Sequence, residues 1–188
     1  MNLMRAADVT GLPVVSIASG EDVAEVRDVV YDGEAHRLVG FTLNKRGFFA
    51  GRLKAVLAEG SVAAIGPDAV MIESESAIEE NGDDSEPLRN LGAARAVLGD
   101  RVLSADGTDL GEVVSVILST GDRPEAVGYE LKSPSHVETS FIPISAQMAL
   151  SGENLVVPVE AIQFVRGDLA GFGAAVASYR SAKLEQQR

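Results

Sequence analysis

The 188-residue chain contains no cysteine and no tryptophan, 5% aromatic residues and two histidines. Without cysteine there is no disulfide framework, no thiolate nucleophile and no cysteine-ligated zinc. Positive charge is scarce too: 16 Lys and Arg stand against 28 Asp and Glu, a formal charge of −12. A surface of that sign repels phosphate backbones and anionic lipid at long range, which disfavours nucleic acid as a partner. No apolar run approaches the ~18 residues of a membrane span. The opening MNLMRAADVTG lacks the apolar core of a signal peptide, so a cytoplasmic protein without an integral membrane segment is expected. What is present, 46% hydrophobic and 23% charged residues, is ordinary globular stock for one domain or two small ones.

The chain repeats itself. VSIASGEDVAEVRDVVY (15–31) aligns with VLSADGTDLGEVVSVIL (102–118), where Val15, Ala18, Gly20, Asp22, Glu25, Val26 and Val29 meet identical residues. After one inserted residue LVGFTL (38–43) matches AVGYEL (126–131), and DAVMI (68–72) then matches ENLVV (153–157). The order is kept, which predicts two copies of one unit. Val39, Phe41 and Leu43 alternate with their neighbours, as do Val127, Tyr129 and Leu131, the period of a strand. SGED and ADGT read as tight hairpin turns in which Gly20 and Gly107 supply positive φ. Turns also fall at Gly33-Glu34 and Thr120-Gly121, and again at Gly66-Pro67-Asp68 and Ser151-Gly152-Glu153. Short strands so punctuated predict small β-barrels or sandwiches.

The pattern V-x-x-x-x-G-x-x-[LV]-[GA]-E-V-x-x-V, a turn, [LA]-V-G-[FY], then G-x-[ED]-x-[LV], resembles the PRC-barrel. That domain is known from the cytoplasmic part of the photosynthetic reaction-centre H subunit and the C-terminal half of a ribosome-maturation factor. The resemblance covers about 14–73 and 98–158. It departs at Ala24, where the second copy has Gly111, and at Val56-Leu57-Ala58, where the second has Pro143-Ile144-Ser145. It implies a small, strongly bent barrel that docks to other macromolecules and has no shared catalytic residues to carry over. The expected fold is therefore all-β: a first PRC-like barrel at 1–73, an acidic linker at 74–97, a second barrel at 98–165 and a C-terminal amphipathic helix at 166–188. The linker holds six acids and two bases, a net −4. In the helix Leu169, Phe172, Val176, Tyr179 and Lys183 form one stripe, with Asp168 as N-cap.

No reactive constellation emerges from the residue pattern. His36 and His136 lie in polar turns, read as facing water. No G-x-S-x-G elbow accompanies them, and neither has a second histidine at zinc spacing. Gly171-Phe172-Gly173 would need its third glycine at Val176 to bind a dinucleotide. Glu25 and Glu112 are read as accepting turn N–H groups at the first corner of each barrel. No catalytic residue, cofactor or metal site is expected. One stretch stands out: NKRGFFAGRLK (44–54) sets Lys45, Arg46, Arg52 and Lys54 around Phe48 and Phe49, four of the seven bases before residue 74. The expected function is a non-enzymatic adaptor that grips a protein partner through these six residues. An RNA- or ribosome-associated assembly factor is the alternative, and a cofactor-free hydrolase is a remote one. Exposed sheet edges make homodimerisation a further expectation.

Overall fold

The computed structural model describes residues 1–45, 55–80, 97–121, 123–133, 139–151 and 153–186. The first unit contains β2 (Pro13–Ser16), β3 (Asp22–Asp32), β4 (Arg37–Lys45), β5 (Ala55–Ala58), β6 (Val62–Ile65), β7 (Val70–Ile72) and β8 (Ile78–Glu80). They pair in the order β6-β7-β2-β3-β4-β5-β8, and only β2 and β7 run parallel. The second unit contains β9 (Arg101–Ser104), β10 (Asp109–Thr120), β11 (Glu125–Lys132), β12 (Thr139–Pro143), β13 (Ala149–Ser151) and β14 (Asn154–Val157). Their order, β13-β14-β9-β10-β11-β12, repeats that of the first, including the parallel pair, here β9 and β14. The protein is mostly β, with two barrel-like halves. Among the described residues each half is an open path of pairing with no ladder joining its ends.

The duplication extends to the irregularities. Val23, Arg27 and Val39 are the extra residues of three bulges in the first unit. Leu110, Val114 and Val127 are the extra residues at the matching places of the second. A bulge sharpens local twist and bends the strand, so each unit curves at the same points. Gly20 and Gly107 adopt the expected left-handed turn conformation, at φ +72° and +89°. The structure moves one alignment: Val15, opposite Asp22, is equivalent to Leu103, opposite Asp109, and not to Val102. The first hairpin turn has one residue more, and identity across a turn cannot reveal which side holds the insertion. Val14 and Val102 are the pair buried in the core.

The acidic stretch after the first unit is not linker from its beginning. Glu75–Ala77 form a 3-10 turn and β8 extends the sheet beyond β5, with Ile78 packed against the core. An apolar residue within an acidic run can still form an edge strand, because its outward charges stay in water. In the second unit the helical turn α2 (Val159–Ile162) and a bridge between Phe141 and Arg166 take the corresponding place.

The helix α3 (Leu169–Gln186) lies where the sequence stripe predicts. Asp168 Oδ1 accepts the Gly171 N–H at 2.7 Å, capping the first turn. Phe172, Ala175, Val176 and Tyr179 are buried, and the first three join Ile117, Val127 and Phe141 in a cluster of their own behind the second sheet. The Phe141 and Phe172 rings lie 5.6 Å apart. No described helix is long and apolar enough to cross a membrane.

Candidate functional site

The chain crosses between the units at its start. β1 (Asn2–Arg5) adds antiparallel to β10 of the second unit, from Asn2 opposite Thr120 to Arg5 opposite Ile117. The short helix α1 (Ala6–Val9) then packs against both β3 and β10 before the chain enters β2. A two-point ion pair fixes this crossing: Arg5 Nε meets Glu130 Oε2 at 2.6 Å and Nη2 meets Oε1 at 2.9 Å. The Glu130 side chain is 7% exposed. Hydrogen bonding from Arg5 holds its carboxyl below the usual glutamate range, against the opposing effect of burial.

Where the units face each other they leave a cleft of about 490 Å³. Ala6, Ala7 and Thr10 form one wall. Residues 27–31 and Thr42 of the first unit and Val97, Leu98 and residues 114–116 of the second form the rest. Equivalent positions meet here: Arg27 and Val114 are the matching bulge residues, followed by Asp28 with Ser115 and Val29 with Val116. Two apolar residues stay open to solvent on this cleft, Leu98 at 58% and Val114 at 42%. Isolated exposed aliphatics are commonplace, but a pair lining one concave site marks a surface suited to a ligand or partner.

Beside the cleft a buried polar chain ties one unit to the other. Tyr31 is a residue of the cleft wall, and its hydroxyl is in short hydrogen-bond contact with the Tyr129 hydroxyl. Tyr129 in turn reaches His36 Nδ1 at 2.7 Å, and His36 Nε2 makes a longer contact of 3.4 Å to the Met148 carbonyl. Burial drives both tyrosine pKa values upward, so both hydroxyls keep their protons. Burial lowers that of His36, outweighing the Met148 carbonyl and the Asp32 charge that favour its protonated form. In the neutral state one orientation uses every proton: Tyr31 donates to Tyr129, Tyr129 to Nδ1, and Nε2–H to Met148.

His36 is thus a correction to the sequence expectation, being 8% exposed and not facing water. It sits at φ +52°, uncommon for a residue with a side chain. A polar turn looks solvated in sequence, and only the second unit covers this one. A signal was nonetheless present. The two tyrosines break the repeat, since Tyr31 corresponds to Leu118 and Tyr129 to Phe41. The hydroxyls appear only where the units meet. Tyr129→Phe is expected to lower stability by about 2 kcal/mol, because it strips a partner from both Tyr31 and His36. Tyr31→Phe, at the chain's end, should cost about half as much. Urea unfolding compares them, and equal costs would contradict the assigned direction of donation.

Of the residues proposed from sequence, Lys45 ends β4. Arg46, Phe48, Phe49, Arg52 and Lys54 lie outside the described residues, as does His136. Glu25 is half-buried and Glu112 exposed, and neither lines the cleft. Turn N–H groups are also taken by aspartates: Asp32 accepts from Glu34 and Ala35, and Asp109 from Gly111. Among the described residues, no three His, Cys, Asp or Glu gather as a metal site.

Among curated proteins no match to the chain is found. Against family models, residues 1–77 match the PRC-barrel domain, a span that takes in the crossing strand β1 and the whole of the first sheet up to the start of β8. The match carries the PRC-barrel likeness from motif level to an aligned domain, and β9–β14 repeat the strand order and bulges of the first sheet in the second half. Over residues 1–77 the chain is similar to the PRC-barrel domain.

Proposed function

We propose that the protein is a non-enzymatic adaptor, working in the cytoplasm, that binds another protein in the cleft between its two units. The observation that carries this reading is the pair Leu98 and Val114, exposed on a preformed concavity in a fold known for docking. Arg27 and Asp28 give the same cleft one charge of each sign, which would orient a partner. The partner's apolar side chains would seat on the two aliphatics, with the gain set by burying them together. The stretch from Lys45 to Lys54, between β4 and β5, is proposed as a second contact, its cations complementing acidic groups on the partner.

A photo-crosslinking residue at Arg27, on the cleft, and another at Glu73, outside it, tests the assignment in native extract. A discrete adduct is expected from position 27 alone, weakened about tenfold by Leu98→Glu. Leu98 is exposed enough that this substitution should shift stability by no more than about 0.5 kcal/mol. Identical adducts from both positions, or indifference to Leu98→Glu, would sink the cleft as the docking site.

A further inference from the structure

Tyr31 belongs to two things at once: it lines the cleft, and it ends the hydrogen-bonded chain that runs through Tyr129 to His36. We propose that this chain is a proton-set latch, in which a proton on His36 reverses the direction of donation and frees Tyr31 from the cleft wall, so that mild acid remodels the docking surface. The inference rests on the adaptor reading for its consequence, but the latch itself is a property of the three side chains.

With His36 neutral, Nδ1 accepts from Tyr129 and every hydroxyl proton has an acceptor. In the imidazolium both nitrogens carry protons. Nδ1–H must then donate to the Tyr129 oxygen, Tyr129 must donate to Tyr31, and the Tyr31 proton is turned out of the chain. Among the described residues Tyr129 is the one hydrogen-bond partner of the Tyr31 hydroxyl. A buried donor without an acceptor is costly, so the ring is driven toward water, which the adjoining cleft supplies.

Among the described residues, the charged and titratable groups around the histidine are few. Its own turn contributes Asp32, which favours the proton but already accepts from Glu34 and Ala35 and lies 3.6 Å from Arg37. From β11 comes Tyr129, from the segment before β9 comes buried Asp100, which acts on Tyr129, and from the segment before β13 comes only the Met148 carbonyl. Both turn and partner unit must hold His36 in place, since its backbone is left-handed. The sign follows from linkage. Above about pH 6.5 the histidine is neutral folded or unfolded, and the latch contributes fully. As the pH falls below that, the unfolded chain takes up the proton first, and the stability given by the latch is lost toward the folded-state value.

Three tyrosines and no tryptophan make the test direct. In the full chain labelled with 3-fluorotyrosine, the Tyr31 and Tyr129 resonances should move together between about pH 7.5 and 5.5, with a midpoint below the ordinary histidine value, while Tyr179 stays still. His36→Asn keeps a residue tolerant of left-handed backbone but removes the titration, and should hold both resonances fixed. A Tyr31 resonance that does not move, or moves equally in His36→Asn, overturns the latch. So does an Arg27-site adduct whose yield is the same at both ends of that range, where about a tenfold loss is expected. A moving Tyr31 with no adduct at any pH supports the latch and sinks the docking reading instead.

Discussion

Replacing Gly128 with alanine is expected to lower stability by roughly 3 kcal/mol and to loosen α3 from the second sheet. A Cβ at this position would lie 2.3 Å from Cζ of Phe172 and 2.5 Å from the Ile142 carbonyl oxygen. Neither neighbour can step aside cheaply. Phe172 is fully buried against Phe141 and Ile117, and Ile142 is backbone of β12, held in register opposite Tyr129. The helix must therefore lift, or β12 must shift, and either change opens well-packed surface. The mechanism makes a second measurement available. Phe172→Ala alone removes a buried ring and should cost about 3 to 5 kcal/mol. In the Gly128→Ala background it also removes one of the two clashes, so its added cost should fall by at least about 1 kcal/mol. Urea unfolding of the four proteins closes the cycle. Strict additivity, or an alanine at 128 that is nearly neutral, would mean that the helix does not pack here as described.

Arg5→Ala should be the largest electrostatic loss. It leaves the Glu130 carboxylate buried without its two-point partner, a situation that usually costs about 3 to 5 kcal/mol. Because the Arg5 side chain is 39% exposed and its charge is partly screened, about 2 kcal/mol is the expected loss at neutral pH. Its pH dependence distinguishes this from simple loss of packing. In the native protein Glu130 titrates below the ordinary value, so its stabilisation is complete above about pH 4.5 and disappears as the pH falls through the folded-state value. Without Arg5 burial opposes the charge, and acid should cease to penalise this site, shrinking the deficit of the variant below about pH 4.5. Unfolding midpoints at neutral and acidic pH report it, and a deficit independent of pH would assign the loss to packing over the Phe141 ring, which lies 5.8 Å from the Arg5 guanidinium carbon. Amide exchange at Leu3 and Met4 should quicken too, since β1 is anchored to the second unit by this pair.

The two substitutions mark where the sequence was legible. Gly128 stands in AVGYEL beside LVGFTL of the first copy, and the shared glycine could be seen to matter in both. In the first copy a Cβ at Gly40 would meet the Leu57 carbonyl oxygen at 2.3 Å, the same close approach between neighbouring strands. That its counterpart also admits a helix ring was not visible, because only one copy has the helix. Arg5 carried no signal at all. It lies outside the repeat, and its partner is 125 residues away.

Repetition and periodicity by themselves determined the β class, the doubled unit, the glycine-bearing hairpin turns and the capped C-terminal helix. These follow from local rules: strand alternation, positive φ at turns and a side-chain oxygen at a helix start. Tertiary structure alone decided how the halves meet: β1 crossing to β10, matched bulges lining one cleft, and His36 drawn out of water between Tyr129 and the Met148 carbonyl. Contacts between distant segments depend on three-dimensional fit, and residues such as Leu98 and Val114 acquire meaning only when the other unit forms the opposite wall.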